Sequence, residues 1–63
     1  MKLPELEVSE TEKFEAIKQA AENGNVTAML KLSEFYEKGI GTTVNRDLAD
    51  YWHNEADVVL HNK

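Results

Sequence analysis

An all-α fold, a three-helix antiparallel array, is predicted by three observations. Apolar residues recur at three- and four-residue intervals in three separate stretches. Glycines fall where that spacing breaks. Beyond a weak alternation at the N-terminus that Pro4 interrupts, no stretch alternates apolar with polar residues as a half-buried strand would. Helices are therefore expected at about 10–22, 26–38 and 46–61, with short connections that place neighbours antiparallel.

Residues 1–8 carry Pro4 and a weak apolar–acidic alternation, and read as an extended N-terminal arm outside the core; residues 9–63 read as a single helical domain. Ser9-Glu10-Thr11-Glu12 has the capping-box pattern, in which the Ser9 hydroxyl accepts the Glu12 N–H and the Glu12 carboxylate reaches back. Glu10 and Glu12 also suit the positive end of the helix dipole. Phe14, Ile17, Ala20 and Ala21 form the apolar stripe of the first helix, and Asn23-Gly24 stops it.

Asn25 is a suitable cap for the second helix, whose stripe is Ala28, Met29, Leu32, Phe35 and Tyr36. Glu34 and Lys38 stand four apart in the favourable order. Gly39-Ile40-Gly41-Thr42-Thr43 cannot continue a helix and reads as a tight turn. Asn45 or Thr43 caps the third helix, with Asp47 in its first turn and His61 and Lys63 near its end. Its apolar face is expected to be Leu48, Trp52, Ala56, Val59 and Leu60, with Ala49 and Tyr51 alongside.

Size and charge bound the function. A 63-residue chain has one thin core at most, and such chains usually lean on disulfides, a metal or a partner. With no cysteine, disulfides, thiol nucleophiles and thiolate metal sites are excluded. Apolar runs such as Val58-Val59-Leu60 are far too short to span a membrane. Met1-Lys2-Leu3-Pro4-Glu5 lacks the apolar core of a secretory signal, so a cytoplasmic location is expected. Twelve acidic against seven basic residues, a net charge of −5, argue against direct nucleic-acid binding and against an anionic membrane surface.

The span Ala20–Ala56 resembles the Sel-one-like repeat, a relative of the tetratricopeptide repeat. Ala20-Ala21-Glu22-Asn23-Gly24-Asn25 is similar to the family's junction between repeats. Ala28, Leu32 and Tyr36 are similar to the spine of its first helix, Gly39-Ile40-Gly41 to its turn, and Ala49, Trp52 and Ala56 to its second helix. Five departures stand out. Ser33 occupies a position where the family prefers Gly, a change expected to loosen one helix contact. Thr42 replaces the usual Val and Asn45 the usual Asp. Residues 9–19 follow the family only as an amphipathic helix, without its Trp. After Ala56 the junction pattern is lost, so the chain reads as one full repeat preceded by half of another; with Met1 at its start, that reading favours a complete gene product. The resemblance implies adaptor or scaffold work. Repeat arrays usually need three or more units, so this chain is expected to self-associate or to offer an uncovered face.

Catalysis is not expected. Ser9, Thr11 and Thr27 stand at caps or helix starts without a neighbouring base, and three helices leave little room for the dry cleft that paired carboxylates need. His53, Asp57 and His61 recur at i, i+4, i+8; the two imidazoles are then about 12 Å apart along the axis, too far for one ion. No metal and no cofactor is expected. The candidate contact residues are Tyr51, Leu48 and Val58, a second apolar strip on the last helix, and Glu10, Glu12 and Glu15, an acidic rim. The expected partner is a protein with a basic surface, on which the chain docks as a small adaptor or inhibitory subunit. Two alternatives stand beside it. One is an acidic antagonist, of the kind a mobile element would carry, occupying the substrate or nucleic-acid channel of a basic enzyme. The other is self-assembly, suggested by the apolar Val58–Leu60 end.

Overall fold

A computed structural model describes residues 9–61. The arm expected over 1–8, like the last two positions, lies outside the described residues. Three helices run in order, α1 (Glu10–Glu22), α2 (Val26–Lys38) and α3 (Arg46–His61), within the boundaries that the spacing predicts.

Each boundary has a local cause. The Ser9 hydroxyl accepts the Glu12 N–H at 3.1 Å and so starts α1. At its other end Gly24, at φ +94°, takes the left-handed position, and two bonds close a Schellman turn: Asn25 N–H to the Ala20 carbonyl and Gly24 N–H to the Ala21 carbonyl. Asn25 then caps α2 through its side-chain oxygen, which accepts the Ala28 N–H. One residue before Asn25 the first helix is still being terminated, so the reversal between α1 and α2 is as short as the chain permits.

The second turn is held differently. Gly39, at φ +73°, ends α2, and the Phe35 carbonyl accepts from both Gly39 and Ile40. The Tyr36 carbonyl is taken by the Asn45 N–H at 2.8 Å, while the Asn45 side chain caps α3 by accepting from Leu48 N–H. Asn45, rather than Thr43, is thus the cap. It ties the end of α2 to the start of α3. Gly41 is required for a further reason. A Cβ at this position would collide with the Glu10 backbone carbonyl and come within 2.9 Å of the Phe14 Cβ. Only glycine lets the turn lie directly on the first residues of α1.

α2 packs against both α1 and α3, which do not approach each other. The core is consequently one layer thick. It comprises Phe14 and Ala21 from α1, Ala28, Met29, Leu32 and Tyr36 from α2, and Ala49 and Ala56 from α3. Leu32 and Ala56 are completely covered. Phe14 meets Tyr36 edge-on, with ring centroids 5.3 Å apart. Small residues at Ala21, Ala28, Ala49 and Ala56 permit the close helix approach that this thin layer needs.

Two expectations are corrected. The face of α3 against the core is narrower than its apolar spacing suggests: Ala49 and Ala56 are buried and Trp52 is partly buried, but Leu48, Val59 and Leu60 are exposed. A helix with one neighbour covers a single stripe, and among the described helices α3 packs on α2 alone. Ser33, expected to loosen a contact, instead makes one. It is buried, and its hydroxyl donates to the Ala49 carbonyl at 2.8 Å, joining α2 to α3.

Candidate interaction surface

Seven large apolar side chains are exposed among the described residues, and five of them, Leu48, Tyr51, Val58, Val59 and Leu60, lie on α3. Leu48, Tyr51 and Val58 are spaced i, i+3, i+10, which brings them to one flank of the helix. Their exposures, 37%, 51% and 57%, rise with distance from the Ala49–Trp52–Ala56 seam. Tyr51 stands edge-on to Trp52, with centroids 5.1 Å apart. Because Trp52 is wedged against the core, the exposed Tyr51 ring has a fixed wall behind it. Leu60 belongs to the other flank, next to Asp57 in helical spacing.

Of the acidic candidates, Glu12 and Glu15 share a line on α1 with Gln19 and Glu22, at i, i+3, i+7 and i+10. All four are exposed, and no lysine lies on that line. Glu10 is also exposed, but it falls on a different side of α1, where its carbonyl supports Gly41. The apolar flank and the acidic line are therefore separate features on helices that do not touch.

An open groove of about 370 Å³ lies between α2 and α3, lined by Ser33, Glu37, Arg46, Ala49, Asp50 and His53. Sequence spacing alone did not reveal it, because its two walls come from different helices. Of its lining groups, the Ser33 hydroxyl gives its proton to the Ala49 carbonyl rather than to a base, so this hydroxyl is not an activated nucleophile. Among the described residues no three His, Asp or Glu side chains converge as a metal site would require. His61 turns back along its own helix, with Nδ1 at 2.9 Å from the Asp57 carbonyl and 3.3 Å from its carboxylate, a solvated i, i+4 contact. The ion pair of Lys38 with Glu34, at 3.0 Å, is likewise exposed on α2. It holds the Glu34 carboxyl below its ordinary value and the Lys38 ammonium above, through their hydrogen bond first and their charges second.

One residue of the α3 flank escaped the apolar spacing because it is charged. Glu55 stands four after Tyr51 and three before Val58, and it is partly buried. Counting i, i+3, i+7, i+10 from Leu48 would have found it.

Compared with known proteins, the chain matches no family model, no curated protein and no solved structure.

Proposed function

We propose that this chain is a noncatalytic protein-binding module that docks through the Leu48–Tyr51–Val58 flank of α3, with the Glu12–Glu15 line of α1 as an acidic rim. The observation that carries the reading is the uncovered apolar flank itself. A chain of this size has few large apolar residues to spare, yet five of those on its last helix face solvent. Tyr51, backed by a rigid Trp52, has the character of an interface anchor: large area, a polar tip and little freedom to lose. The partner fitting this surface carries positive charge, since the chain itself bears −5.

The resemblance to a Sel-one-like repeat belongs to the same proposal, and it bears on the self-assembly alternative. Ala20 and Ala56 occupy matching repeat positions 36 residues apart. Moving the inward stripe of α1, Phe14, Ile17 and Ala21, forward by 36 gives Asp50, His53 and Asp57. A fourth helix continuing the array would have to pack on these three exposed polar residues. Such a polar outer face is what terminal repeats present to solvent. Extension by further copies is therefore disfavoured, and a foreign partner on the apolar flank is favoured.

The test is capture of the partner from host lysate on immobilised chain, followed by hydrogen-exchange footprinting of the complex. Protection over 48–59, lost together with the partner in Tyr51→Ala, is the expected result. Protection confined to the α2–α3 groove, or a complex indifferent to both Tyr51→Ala and Glu12/Glu15→Gln, would refute the assignment.

A further inference from the structure

The apolar flank of α3 contains one charge, and its position is informative. Leu48, Tyr51, Glu55 and Val58 follow the 3-4-3 spacing of the inner positions of a coiled coil, with Glu55 third. The helical neighbours of Glu55 at three and four residues on either side are Tyr51, Trp52, Val58 and Val59. None can neutralise a carboxylate, and among the described residues Glu55 is in no ion pair. It is partly buried even in the free chain, so a helix laid along this flank would cover it further. Covering an unpaired carboxylate is strongly unfavourable; covering it against a matching cation is not.

From this we infer the chemistry of the partner: an amphipathic helix that lies along α3 with apolar side chains against Leu48, Tyr51 and Val58, and with one Lys or Arg at the level of Glu55. A single polar position inside an apolar seam sets register and partner choice. The inference rests on the docking flank proposed above and adds its selectivity. A second copy of this chain is the competing occupant, and it fits less well. In parallel alignment two Glu55 carboxylates face each other. In antiparallel alignment each meets the other copy's Tyr51, whose hydroxyl can donate, but both carboxylates then lie within adjacent layers of one seam with no cation. Glu55 thus acts against self-pairing and for a basic helix.

The test uses two synthetic helical peptides of identical composition and net charge, so that general attraction to an acidic chain cancels. Both carry leucines at the seam positions. One places Lys at the central seam position and Glu on the outer face; the other exchanges the two. Affinities are read by anisotropy of labelled peptide against wild type, Glu55→Lys and Tyr51→Ala, and sedimentation reports the state of the chain alone. Wild type is expected to prefer the seam-Lys peptide by on the order of tenfold, Glu55→Lys to reverse the order, Tyr51→Ala to weaken both, and wild type alone to sediment as a monomer. Equal affinities that still depend on Tyr51 would overturn the selectivity and leave the docking flank standing. Binding of neither peptide, or binding indifferent to Tyr51, would overturn both. A wild-type dimer dispersed by Tyr51→Asp would overturn the basic-helix partner in favour of a second copy.

Discussion

Replacing Gly41 by alanine isolates the contact that holds the second turn on α1. Gly41 sits at φ +70°, where a residue with a Cβ is strained by about 1–2 kcal/mol. The added methyl would also occupy the space of the Glu10 carbonyl and approach the Phe14 Cβ to 2.9 Å. Helix backbone cannot yield as a side-chain tip can, so the turn must lift away. Phe14 would then lose cover and its edge-on contact with Tyr36, the latter worth roughly 0.5–1.5 kcal/mol. With partial exposure of the ring added, the total is about 3–4 kcal/mol. A core this small rarely supplies more than about 3–5 kcal/mol, so Gly41→Ala is expected to be largely unfolded at room temperature. Gly24→Ala is the control. Gly24 has a similar φ of +94° but nothing within 4 Å of the added carbon, so it should lose only the backbone strain, about 1–2 kcal/mol. Urea titration followed by helical circular dichroism separates them. Equal midpoints for the two variants would show that the turn does not rest on α1, and the account of Gly41 would be wrong.

Two further outcomes follow from single contacts. Ser33→Ala should lower stability by about 1 kcal/mol through loss of the bond to the Ala49 carbonyl, and Ser33→Gly by several tenths more through helix propensity; a Ser33→Gly variant more stable than the native chain in urea would contradict the assigned role. The Glu34–Lys38 pair contributes between the two titrations only. The Glu34 carboxyl is depressed below 4.5, so its share is present above that value and fades as pH falls through the lowered one; Lys38 is raised above 10.5, so its share is present below that value and is lost as pH climbs through the raised one. Both groups are exposed, and a double-mutant cycle at neutral pH should show a small coupling in low salt that disappears in about 1 M salt. A coupling indifferent to salt would contradict a solvated pair.

The helix limits were legible in the residues because their causes are local. Ser9, Asn25 and Asn45 accept from an N–H three residues on, and Gly24 and Gly39 turn the chain by their own φ. Such effects need no knowledge of the rest of the molecule. The stripes of α1 and α2 were legible for a related reason. The apolar residues of α1 are few, and α2, which is richer in them, has a helix on either side, so each stripe meets a neighbour.

What lies between helices was decided only in three dimensions. The apolar residues of α3 outnumber what α2 can cover, and spacing alone does not settle the limit of the covered stripe; Ala49 and Ala56 went in, while Val59 and Leu60, which spacing puts on the inward face, stayed out. Ser33 became a tie to Ala49, and Gly41 a seat against Glu10. The physical distinction is one of range. Capping and backbone turning depend on atoms within a few residues along the chain, whereas coverage and close approach depend on which surfaces meet, and here one helix meets two others that never meet each other.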